Sequence, residues 1–197
     1  MPNSIITILI TVSSILTIVS ALPYVINVLK RKTKPRIVSW FIWGVLTGGS
    51  CVAAFSEGQY ATGIMLTFSS LASFVIVLLG WKLGDKKFER LDVVCLIGAV
   101  IGIILWRLLD SPSIAVLVMI LTDFIGGIPT IVHCWRKPFE ETWPTFMMGC
   151  IGSICTLLAL SNWQITSFAF PLFIASNSLT STIIILTRRY YLSKKRR

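Results

Sequence analysis

The chain has 197 residues, 55% of them hydrophobic and only 13% charged, with a mean hydropathy of +0.83. Soluble domains carry about 25% charged residues, so an ordinary soluble fold is excluded. The formal net charge of +10 does not indicate nucleic acid: Lys and Arg sit in short loops between apolar blocks, and no zinc or RNA-binding motif accompanies them.

Seven apolar blocks follow one another, most of them near the ~20 residues that cross ~30 Å of hydrocarbon. Residues 4–29 open the series with no Lys or Arg ahead of them. The run is too long for the core of a signal peptide, so it is expected to remain as a helix. It carries Pro23 near its end and leads into a loop with Lys30, Arg31, Lys32, Lys34 and Arg36. The second block, 37–56, holds Trp40, Trp43 and the small pair Gly44 and Gly48; the third, 60–81, holds Ser70 and Ser73. Lys82, Lys86, Lys87 and Arg90 separate it from the fourth, 91–109, with the pair Gly98 and Gly102. The fifth, 113–135, contains Asp123, Gly126, Gly127, Pro129 and His133, and Arg136 and Lys137 follow it. The sixth spans 142–160. The seventh, 165–186, contains Asn177 between Ser176 and Ser178 and runs into a basic tail.

In this count all 18 Lys and Arg residues except Arg107 fall on one side, which the positive-inside rule makes cytoplasmic. The expectation is an all-α integral protein of the plasma or inner membrane, with seven transmembrane helices, the N-terminus outside and the C-terminus in the cytoplasm. The five cysteines, Cys51, Cys95, Cys134, Cys150 and Cys155, lack framework spacing and read as packing residues. One histidine leaves too few ligands for zinc, so no metal or cofactor is expected.

The order of features repeats. Leu22-Pro23-Tyr24 ahead of the first basic loop corresponds to Ile128-Pro129-Thr130 ahead of the fifth-block loop. The same shift sets Arg36 beside Thr142, Trp40 beside Phe146 and Thr17 beside Asp123; a shift one residue smaller pairs Gln59 with Gln164. Two parallel three-helix repeats result, residues 1–84 and 112–197, joined by a linker helix within 85–111.

This layout, with Pro23-Tyr24 running to Lys32-Thr33-Lys34-Pro35-Arg36-Ile37-Val38-Ser39-Trp40 and a second copy from Pro129 to Arg136-Lys137-Pro138-Phe139-Glu140-Glu141-Thr142, resembles the SWEET, SemiSWEET and PQ-loop superfamily. Tyr24 and Thr130 stand where that pattern has glutamine after each proline. The resemblance implies a carrier of a small polar solute, a sugar or similar metabolite, working by alternating access. It also implies an asparagine of each third helix at the solute: Asn177 matches in the second repeat, while Ser70 and Ser73 occupy that depth in the first.

Asp123 is the most informative single residue, because an ionisable group in mid-membrane costs roughly 2.5–3.5 kcal/mol and usually faces a bundle interior or a wet path. It brings proton coupling into the reading. The candidate solute-binding residues are Asp123, Asn177, Ser73 and Trp43, with hinges at Pro23 and Pro129 and no catalytic residue. The competing reading of each polar residue is a plain interhelical hydrogen bond. Trp40, Trp43, Trp106, Trp143 and Trp163 are expected in an interfacial belt, with Trp43 the one to turn inward.

Glu140, Glu141, Asp85 and Glu89 read as solvated loop charges, and Asn27 and His133 as candidate gate-lining residues. The glycine pairs mark close helix contacts, within the chain or in a homo-oligomer. The expected partners are the lipid bilayer and a small polar solute. The alternative function is a membrane receptor or sorting protein on the same fold, binding a ligand without moving it.

Overall fold

The computed structural model describes residues 3–56, 60–83, 89–108, 112–160, 163 and 165–195. Gln59, Gln164, Asp85, Lys86 and Lys87 lie outside the described residues, as do the side chains of Trp106 and Arg107. Among the described residues there are seven α-helices and no strand. They are α1 (Asn3–Leu29), α2 (Ile37–Ser56), α3 (Tyr60–Leu83), α4 (Arg90–Leu108), α5 (Pro112–Arg136), α6 (Trp143–Leu158) and α7 (Ile165–Lys195). A 3₁₀ turn, Pro138–Glu140, connects α5 to α6.

Local chemistry sets the ends. Pro112 and Pro144 sit in first turns, where a missing N–H is harmless. Asp92 in the first turn of α4 accepts the Glu89 backbone N–H at 2.8 Å, tying down that helix start. After α1 the chain turns through Arg31 at φ 56°. There the Arg31 N–H reaches the Val28 carbonyl and the Lys32 N–H the Asn27 carbonyl, both at 2.9 Å. Helices run unbroken through Pro23, Pro129 and Pro171, each of which leaves a carbonyl one turn earlier without its intrahelical donor.

Three stretches are long and apolar enough to cross a membrane: Ser4–Leu29, Val116–Arg136 and Phe168–Lys195. Ile37–Gly49, Thr67–Leu83 and Trp143–Leu158 are shorter apolar helical stretches. Ile8, Leu78, Val94, Phe124, Leu172 and Ile183 belong to a large set of apolar side chains exposed on the outer faces of the helices. A surface of this kind is compatible with an integral membrane protein.

α1 packs on α3 and α6, and α5 packs on α7, α2 and α4; α2 lies on α3, and α6 on α7. Both glycine pairs serve contacts inside the chain. Gly44 and Gly48 face Phe74 and Ser70 of α3, while Gly98 and Gly102 face Ile125 and Thr122 of α5. Gly126 in turn admits Ile42 of α2. Trp40 is not in an interfacial belt: it is 8% exposed in a cluster with Tyr24, Val28 and Ile76. Its ring lies 4.7 Å from that of Tyr24 and 5.2 Å, edge-on, from that of Trp43. Trp143 packs on Cys134, Phe146 and Ile185, and Trp163 is exposed.

Candidate functional site

Asp123 lies midway along α5 and is 6% exposed. Its Oδ1 accepts the indole N–H of Trp43, from α2, at 3.0 Å. One helical turn on, Gly127 keeps the same face of α5 open. A Cβ there would stand 3.5 Å from Cζ2 of Trp43 and 4.0 Å from Nδ2 of Asn177 on α7. Three of the four expected solute contacts therefore meet around one glycine at the junction of α2, α5 and α7.

Among the described residues the Asn177 amide makes no hydrogen bond. Its neighbours leave the cluster: Ser176 is exposed, and Ser178 faces Gly149 of α6. Ser73 is buried on α3 with its hydroxyl donating to the Ser69 carbonyl at 3.0 Å. No hydrogen bond joins it to Asp123, Trp43 or Asn177.

The basic end is closed by two loops that stitch together. The Lys34 N–H donates to the Glu140 carbonyl at 2.9 Å, and Lys34 Nζ pairs with Glu140 Oε1 at 2.8 Å. Thr142 Oγ1 takes the Asn27 side-chain N–H at 3.1 Å and lies 2.6 Å from the Thr33 hydroxyl. Arg189 of α7 donates to the Pro138 carbonyl at 2.9 Å and to the Glu141 carbonyl at 2.5 Å. Arg36 bonds Asp92 and sits 3.4 Å from Glu89.

Glu141 lies at the centre. Its reading as a solvated loop charge is corrected: the residue is 2% exposed, and Oε2 accepts the Tyr24 hydroxyl at 3.0 Å. Burial pushes its carboxyl up from the usual range to about 8, against the opposing pull of the Tyr24 hydrogen bond. His133 is buried beside it, and Pro129 and His133 help line a cleft of about 60 Å³ between Arg36, Asp92 and Arg136. Asn27, through its bond to Thr142, and His133, beside the cleft, are both part of the closure.

Tyr24, Thr33, Thr142, Asp92 and Arg189 escape sequence reasoning. Each is an ordinary loop or helix-end residue until two loops far apart in sequence meet. Compared with protein-family models, curated proteins and solved structures, the chain matches none.

Proposed function

We propose that the chain is a SWEET-like membrane carrier of a small polar solute, in which two three-helix units joined by α4 rock about a site between them. The observation that carries this reading is the Trp43–Asp123 hydrogen bond beside the Asn177 amide, whose Nδ2 would stand 4.0 Å from a Cβ at Gly127. It gathers polar groups at mid-helix, where an apolar bundle would place none. A carboxylate accepts solute hydroxyls, an amide both donates and accepts, and the indole gives an apolar face to C–H groups. Gain and loss of a proton at Asp123 would couple movement to pH, and Pro23 and Pro129 would supply the bend.

Helix packing supports the two units: α1 against α3 and α6 is answered by α5 against α7 and α2, as exchange of equivalent repeats requires. The one-sided basic loops support seven spans with a cytoplasmic C-terminus. A second reading, a receptor or sorting protein on this fold, is favoured by the stitched basic end, since a receptor needs no path through that side.

The test is thermal unfolding of the detergent-purified protein with sugars, amino acids, vitamins and nucleosides, at acidic and neutral pH. A solute that raises the transition of the parent but of neither Asp123→Asn nor Asn177→Ala supports the site. If no solute acts and both variants are merely less stable, these residues only hold helices together. Uptake into liposomes by the parent then separates carrier from receptor.

A further inference from the structure

Three buried polar atoms converge where the two loops join, and none makes a hydrogen bond: His133 Nε2, Glu140 Oε2 and Glu141 Oε1. His133 Nε2 stands 3.7 Å from Glu140 Oε2 and 4.0 Å from Glu141 Oε1. The side chain of Glu141 is 0% exposed and that of His133 9%. Buried polar atoms that make no hydrogen bond are costly, and three aimed at one gap call for a common guest. Among the described residues no group is arranged to hold a metal ion. Gaps of 3.7 and 4.0 Å are too long for direct hydrogen bonds and suit one proton relayed through a water from the adjoining cleft.

We propose that His133, Glu140 and Glu141 form a proton-binding site that locks the basic end shut. With the proton on Glu141 Oε1 donated to that water, and the water's two hydrogens donated to His133 Nε2 and Glu140 Oε2, all three atoms gain a partner and the loops stay joined. When the proton leaves to the aqueous phase, Glu141 is left ionised in a buried position. The loops then part so that water can solvate it.

The surroundings allow this. Tyr24 of α1 already occupies Glu141 Oε2, leaving Oε1 for the proton. Lys34 and Lys137 hold Glu140 at 2.8 and 3.8 Å. Arg189 of α7 spends its guanidinium on carbonyls rather than on the Glu141 carboxylate. Arg36, at the start of α2, is bound to Asp92 and Glu89, and Glu89 is shared with Arg136. Cys134 is buried next to His133. Among the described residues no cation hydrogen-bonds the Glu141 carboxylate, and a proton neutralises it instead. This inference does not rest on the carrier reading, because closure of the loops is read without solute.

The experiment is hydrogen–deuterium exchange of the full chain in neutral-lipid nanodiscs, followed in the segment containing Thr33 and Lys34. At each pH the exchange rate of the parent is divided by that of Glu141→Gln, which cancels the intrinsic pH dependence of exchange. The ratio is expected to rise by up to about tenfold per pH unit across the opening range, the signature of one proton. A ratio that stays flat from mildly acidic to mildly alkaline conditions overturns the proposal. Should Glu141→Gln not fold, His133→Gln replaces it: the parent's opening midpoint should exceed that of the variant by about one pH unit. Equal midpoints overturn the proposal. Either failure leaves the Asp123 site standing, since that is judged by solute binding.

Discussion

At Gly102 the α4–α5 contact has no room for a methyl group, since a Cβ would lie 2.0 Å from Thr122 Oγ1 and 3.0 Å from Thr122 Cβ. Gly102→Ala should destabilise the protein by about 1–3 kcal/mol, read as a lowered thermal transition. Thr122→Ala in the same chain should recover part of the loss by removing the oxygen. Gly127 is different, because a Cβ there meets only ordinary contacts. Gly127→Ala should fold like the parent within about 1 kcal/mol yet weaken solute-induced stabilisation by narrowing the gap between Trp43 and Asn177. Asp123 and Asn177 were legible in the sequence because polar groups stand out in apolar blocks. Glu141 was not: among so many loop charges, nothing local tells a buried carboxylate from a solvated one.

At the scale of elements, the seven apolar blocks coincide with the seven helices of the described residues. They located the ends less well. α7 continues to Lys195, past the apolar limit at Leu186, since Arg, Leu and Lys favour helix once hydrophobicity has ceased to matter. α6 stops at Leu158, where the Ala159 N–H folds back on the Cys155 carbonyl. The turn after α1 places Arg31 in left-handed backbone at φ 56°, a conformation that glycine adopts without penalty. Arg31→Gly should therefore raise stability by roughly 0.5–1 kcal/mol, visible as a higher thermal transition with unchanged helix content.

For the whole molecule, the stitched loops make stability depend on pH. The Glu141 carboxyl in the closed form sits at about 8, above its ordinary 4.5. The closed form therefore keeps a proton that an opened chain loses. That stabilisation is complete below the ordinary value, declines as pH rises and is gone above about 8. Thermal unfolding of the parent should thus occur at lower temperature in mildly alkaline than in mildly acidic buffer. Glu141→Gln should flatten the profile. The seven helices were legible as seven apolar blocks. The meeting of residues 30–36 with 137–142 was not, because it depends on which helices cross.

Two helices join the polar cluster to the loop closure. α5 carries Asp123 and Gly127 toward His133, and α7 carries Asn177 toward Arg189, about 18 Å further along at ~1.5 Å per residue. Between Asn177 and Arg189 α7 runs without a proline, so a tilt at one end is delivered to the other as leverage, whereas α5 has Pro129 between its two sites. Thermodynamics then imposes a symmetry on the two ends. Whatever factor a guest between Trp43 and Asn177 applies to opening of the loops, opening applies the same factor to the affinity for that guest.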